Sequence, residues 1–197
     1  SSFGIVRMGS CVIDPDEPEP VPVQITDGDL LVQSPEWGPG NDRIAFVGGA
    51  PTNWYLPREV YVADLDEGTV ESRTTSLDRT VPFDGRPLWV DENTIISPIG
   101  DGGWTRLVRV SIDAEPERIG EEMPRDRSLQ HVDVGGDTIA LSISDPDEGH
   151  DLYTSTSGSL DTGLHPQQMT RLTRLNDSLV AAHLMPPIGG QGMNVGF

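Results

Sequence analysis

An all-β fold is predicted by three observations. Short runs rich in β-branched and aromatic residues, such as residues 21–25, 43–47 and 59–64, are separated by clusters of Gly, Pro, Asn and Asp, which is the pattern of an antiparallel meander. The chain carries 22 Gly and 17 Pro against a hydrophobic content of only 35%, a balance that favours many short elements over long helices. Apolar positions also recur at spacings near 44 to 52: Trp37 aligns with Trp89 and Val132, Ile44 with Ile95 and Ile139, and Val62 with Val108 and Tyr153. Four short strands in every ~40 to 50 residues is the repeat of propeller blades, whereas helical repeats need longer segments and leucine-rich repeats a shorter period. The expectation is a partial β-propeller of roughly four blades built from four-stranded antiparallel sheets. A single antiparallel sandwich is the alternative architecture.

Taken in order, residues 1–26 form a blade remnant, with strands around residues 4–7 and 11–13 and an outer strand at 21–25. Between them Asp14-Pro15-Asp16-Glu17-Pro18-Glu19-Pro20 alternates proline with acid, so it cannot join a ladder and is read as an exposed loop. The next blade spans about residues 31–74, with strands at 31–37, 43–47, 59–64 and 70–74, a turn at Gly38-Pro39-Gly40-Asn41 and a long loop through 51–57. A third, about 87–120, has strands at 87–90, 94–97, 104–111 and 117–119, with a loop at 100–103. A fourth, about 130–173, has strands at 130–134, 138–144, 150–154 and 168–170. The propeller is thus assigned to 1–177 and a tail or shortened junction to 178–197.

Charge narrows the partners. There are 32 acidic residues and 13 basic ones, a net −19, and every basic residue is Arg. A nucleic-acid partner is disfavoured because phosphate binding needs cations to displace counterions. Two readings of the acidity stand: a surface that recruits basic ligands, and a solvated surface adapted to high salt, where self-repulsion is screened. The spread of acids from Asp14 to Asp177 and the absence of Lys favour the second, and in this the chain resembles proteins of halophilic archaea. No apolar run approaches the ~20 residues of a membrane-spanning helix, and residues 1–12 do not read as a signal peptide, so the expected location is cytoplasmic.

Several motifs resemble one family. The stretch Ser34-Pro35-Glu36-Trp37-Gly38-Pro39-Gly40-Asn41-Asp42-Arg43-Ile44-Ala45-Phe46-Val47 resembles the S-P-x-W-S-P-D-G-x-R-I-A-F-V blade start of propellers in the prolyl oligopeptidase family and in TolB-like proteins. Gln24-Ile25-Thr26-Asp27-Gly28 resembles the end of the preceding blade, and Glu59-Val60-Tyr61-Val62-Ala63-Asp64-Leu65 a third strand. Asp145-Pro146-Asp147-Glu148-Gly149-His150-Asp151-Leu152-Tyr153 followed by Arg171-Leu172-Thr173-Arg174-Leu175-Asn176-Asp177 is similar to segments that precede the hydrolase domain of acylaminoacyl and dipeptidyl peptidases. The peptidases of this family carry their nucleophile in a G-x-S-x-G elbow. This sequence contains no such elbow, and Leu184-Met185-Pro186-Pro187 resembles only the entry to the missing domain. The resemblance implies a noncatalytic propeller portion that gates substrate access, with a peptide substrate or a hydrolase domain as partner. The alternative is a free-standing TolB-like binding module. Open blade edges imply self-association, since unpaired N–H and C=O groups invite another strand.

No catalytic, metal-binding or cofactor-binding residues are assigned, and no cofactor is expected. Asp161-Thr162-Gly163 has the tripeptide of aspartic proteases but lacks a second copy to share the proton, so it is read as a turn. The 145–151 loop, with Asp145, Asp147 and Asp151, is loosely like a calcium loop, yet Thr156 occupies the place of the bidentate Glu; a solvated hairpin loop is the preferred reading. His131, His150, His165 and His183 lack metal-ligand spacing. Cys11, the sole cysteine, is expected to be a small buried hydrophobe. Trp37 and Trp89 are assigned to sheet packing. Trp54, Tyr55 and Trp104 would be the first ligand contacts in a binding propeller, although packing is preferred for them too. Asn176-Asp177-Ser178 matches a glycosylation triplet that is taken as chance.

Overall fold

The structure is a computed structural model that describes residues 11–12, 16–19, 21–26, 28–51, 53, 55–120, 127–145 and 149–178. It divides into two compact units, Ser1–Glu121 and Glu122–Phe197. The expected strand at 4–7 and the tail after residue 178 lie outside the described residues. All described sheets are antiparallel: one of two strands and three of four strands. The fold is all-β, as the short apolar runs require, and each four-stranded sheet is a propeller blade.

In the first unit, β1 (Cys11–Val12) pairs with β2 (Val23–Gln24). Cys11 is exposed, contrary to the expectation of burial. The reason is that a two-stranded ribbon covers little: Gln24, the cross-ladder partner of Cys11, is itself exposed, and the adjacent Val23 is 66% exposed.

The first full blade orders β3 (Leu31–Trp37), β4 (Arg43–Gly49), β5 (Glu59–Asp64) and β6 (Thr69–Ser72) side by side. β4 is buried from Ile44 to its end because side chains on both of its faces are covered. On one face Phe46 stacks on Tyr61 with centroids 5.5 Å apart. On the other, Ala45 and Val62 join Ile95, Ile99, Val108 and Val110 of the next blade in one core cluster. Turns are set by local chemistry: the Asp64 carboxylate accepts the N–H groups of Asp66 and Glu67 at 3.1 and 2.9 Å, an Asx-type stop after β5. Ser34, at φ 49°, sits in the β3 bulge between Gln33 and Glu36.

The second blade is β7 (Leu88–Trp89), β8 (Thr94–Asp101), β9 (Trp104–Ser111) and β10 (Glu117–Ile119). β8 runs into the segment expected to be loop. Only Gly102 and Gly103 turn, with φ of 61° and 88°, and two successive positive φ values are what a tight I′ hairpin needs.

The second unit holds one blade: β11 (Ser128–Gly135), β12 (Thr138–Asp145), β13 (Gly149–Thr156) and β14 (Thr170–Arg171). Ile139, Leu141, Ile143 and Tyr153 bury one face of it. The outer strand begins at Thr170 because Pro166–Gln168 forms a 3-10 turn, closed by the His165 N–H donating to the Gln168 side chain at 3.2 Å.

Register corrects two of the repeat alignments. Trp37 pairs with Ile44 and Trp89 with Ile95, while Ile139 pairs with Val134, so Val134 takes the place expected of Val132. In the third strands, Val108 and Tyr153 pair two positions beyond Ile95 and Ile139, and the residue that does so beyond Ile44 is Tyr61. Val62 points to the opposite face, since successive strand residues alternate.

Candidate functional site

A groove of about 550 Å³ lies in the first unit. Its walls come from the end of β4, the segment before β5, residues 78–83 and Gly100. Backbone bonds lace these pieces together: the Val81 N–H donates to the Arg58 carbonyl at 2.8 Å and the Gly100 N–H to the Thr80 carbonyl at 2.8 Å. The Arg58 N–H donates to Thr80 Oγ1 at 3.1 Å. Val81, fully buried, clusters with Val47 and Val60 below. The groove is therefore built on a connection that stitches two adjacent blades, as befits a rigid scaffold carrying a loop-lined site.

Arg58 is the organising side chain. Gly49 admits its stem, because a Cβ there would stand 3.0 Å from Arg58 Cγ. Its Nε donates to the Val81 carbonyl at 3.0 Å, and its guanidinium carbon lies 5.2 Å from the Phe83 ring centroid, a cation–π arrangement. Among the described residues every other arginine has an ion pair or another polar or ring contact, whereas Arg58 has no carboxylate partner. Arg79, also in the wall, donates from Nε to Asp101 at 2.7 Å. That hydrogen bond, outweighing the effect of burial and aided by nearby Arg118, holds the Asp101 carboxyl below the usual carboxylate range. Tyr55, Leu56 and Phe83 line the groove while 97%, 52% and 65% exposed. Asp78, at φ 48°, adds a carboxylate to the wall.

Of the aromatic residues singled out from sequence, Tyr55 lines this groove. Trp54 lies outside the described residues, and Trp104, paired with Asp101 at the β8–β9 hairpin, is not among the lining residues. Trp89 packs against the interblade core as expected. Trp37 does not: it is 51% exposed, because it shares a face with its partner Ile44, opposite to the face on which Ala45 and Val62 meet the next blade. Arg58 and Phe83 were not legible as site residues, since a lone Arg after Pro57 and a lone Phe before Asp84 carry no motif; the Gly49 needed for the Arg58 stem is visible only with the fold.

Asp145 and Asp151, of the 145–151 segment, are engaged by arginines. Asp145 accepts from Arg127 Nε at 2.8 Å. Asp151, 3% exposed in β13, receives both Arg171 Nε, at 2.9 Å, and Arg171 Nη2. It also receives Thr173 Oγ1 at 2.7 Å and the Leu175 N–H at 3.1 Å. Burial pushes the Asp151 carboxyl up, but the bonds from Thr173, Leu175 and Arg171 outweigh it and hold the group below the ordinary range. Asp147 lies outside the described residues. Asp161, Thr162 and Gly163 form a turn, with Thr162 Oγ1 donating to the Ser159 carbonyl at 3.3 Å. His131, His150 and His165 join no group of three metal-ligating side chains among the described residues, and His183 lies outside them. No described helix is long and apolar enough to cross a membrane.

The chain matches no family model and no curated protein. Solved structures do match. An acylaminoacyl peptidase in complex with Z-Gly-Gly-Phe-chloromethyl ketone shares 14% identity at a TM-score of 0.59, covering 90% of this chain and 24% of that one. TolB from Acinetobacter baumannii shares 16% identity at 0.56, covering 83% and 40%. A puromycin-hydrolyzing peptidase of Mycobacterium tuberculosis shares 20% identity at 0.56, covering 71% and 22%. The blades are therefore those of a β-propeller of the kind found in TolB and in prolyl oligopeptidase-type peptidases. The chain spans 22 to 40% of the length of these three structures.

Proposed function

We propose that this chain is the noncatalytic β-propeller portion of a serine peptidase similar to acylaminoacyl and dipeptidyl peptidases, gating substrate access and scaffolding a hydrolase domain. The observation that supports it most is the groove: a concave, aromatic-rimmed surface of about 550 Å³ carried by the connection between two blades, a size and lining suited to a ligand. The fold likeness to an acylaminoacyl peptidase over 90% of this chain is in keeping with that reading. A peptide substrate is the partner it implies, with self-association through open blade edges as a further property. The acidic, lysine-free composition fits a protein adapted to high salt.

The experiment is direct. The mass of the native gene product, together with its labelling by a serine-directed fluorophosphonate, is expected to reveal a hydrolase domain linked to these blades. A native product without such a domain and without labelling overturns the peptidase reading. A free-standing binding module is the second reading, favoured by the comparable fold likeness to TolB over 83% of the chain.

A further inference from the structure

We infer that the groove beside Arg58 binds the C-terminal end of a peptide whose last residue is apolar, with the terminal carboxylate paired to the Arg58 guanidinium. The inference rests on reading the groove as the ligand-facing part of the propeller.

Charge supplies the first argument. In a chain of net −19 with 13 arginines, a guanidinium has abundant carboxylates to pair with. The other described arginines have found partners, whereas Arg58, which lines the concave wall, is paired with no carboxylate among the described residues. Its position is nonetheless constructed: the stem crosses Gly49, Nε is held by the Val81 carbonyl at 3.0 Å, and the guanidinium plane is backed by Phe83. Such holding leaves the Nη groups for an incoming acceptor and lowers the ordering that binding requires. An anion is the complementary occupant, and a carboxylate matches the planar fork.

The apolar rim supplies the second. Tyr55, Leu56 and Phe83 stand well exposed around the same cation, so an apolar side chain next to the carboxylate buries surface that is otherwise wet. Asp78 supplies the third, because a carboxylate in the wall disfavours a bare organic acid but accepts N–H groups of a peptide backbone. A terminal residue of a peptide brings the anion, the apolar group and the N–H donors together.

Isothermal titration calorimetry at one fixed KCl concentration tests this with acetyl-Gly-Gly-Leu-Phe as the free acid, its C-terminal amide, and phenylbutyrate. The free acid is expected to bind about tenfold tighter than the amide, the size of one charge-assisted pair, and tighter than phenylbutyrate. Arg58→Gln is expected to erase the acid–amide difference, and Phe83→Ala to weaken both peptides. Should acid and amide bind alike to the unaltered protein, or neither bind, the inference is overturned whatever the variants do. Equal binding of phenylbutyrate overturns the peptide assignment. None of these outcomes depends on fluorophosphonate labelling, so the inference and the peptidase reading fail separately.

Discussion

The Trp89 indole Nε1–H donates to the main-chain carbonyl of Glu36 across 3.2 Å, linking the first strand of one blade to the first strand of the blade before it. The same ring passes Gly38 so closely that a Cβ there would stand 3.4 Å from it, and it packs on the cluster containing Ile95 and Ala45. Trp89→Phe keeps most of the apolar contact and loses the hydrogen bond, so it is expected to lower unfolding stability by about 1 kcal/mol. Trp89→Ala also opens a cavity and is expected to lose about 3 kcal/mol. Urea unfolding of the two variants checks the order; equal losses would show that the hydrogen bond contributes nothing beyond packing.

Gly48 makes room for an aromatic ring. A Cβ at this position would meet Tyr61 Cδ2 at 2.5 Å, and Tyr61 is already held against Phe46. Gly48→Ala is expected to displace the ring and reduce stability by about 1 to 3 kcal/mol, the usual penalty of overpacking. Near-ultraviolet circular dichroism should change with it; an unchanged spectrum and unfolding midpoint would mean that the ring is not fixed there.

The Asp151–Arg171 pair carries a pH dependence with a definite sign. The folded state holds Asp151 below the ordinary carboxylate value, so the unfolded chain binds more protons and stability increases with pH. The contribution is complete above the unfolded pKa of about 4 and disappears as pH falls through the folded value. Asp151→Asn leaves Arg171 without its buried counter-charge and is expected to lose about 3 kcal/mol near neutrality. The gap between the two proteins should narrow below pH ~4; a gap that persists at low pH would assign the loss to packing.

Ionic strength provides the fourth check. With a net charge of −19, raising KCl from about 0.1 to 2 M shortens the Debye length and screens like-charge repulsion. The thermal unfolding midpoint is expected to rise across that range. A flat or falling midpoint would remove the proposed salt adaptation.

Much of the strand layout was legible because local chemistry decides it. Residues 31–37, 59–64, 104–111 and 117–119 are strands with the bounds read from their apolar runs. Errors fell where local cues conflict. Gly100 looks like loop but lies within a strand that runs on to Asp101, since the turn needs only Gly102 and Gly103; residues 168–170 look like strand but begin in a 3-10 turn set by Pro166. The candidate site was scarcely legible: Tyr55 was singled out, while Arg58, Asp78 and Phe83 were not. These residues come from different segments, and nothing in their spacing announces that they share a wall.

By itself, the sequence determined the all-β class, the antiparallel four-stranded repeat and the acidic balance, because propensity, turn chemistry and charge act within a few residues. Tertiary structure alone decided which of two similar tryptophans packs against the interblade core, which buried carboxylate is held by Arg171, and which described arginine has no carboxylate beside it. Those outcomes depend on which sheet face meets another and on how many neighbours compete for each charge, and both are settled only when distant strands are brought together.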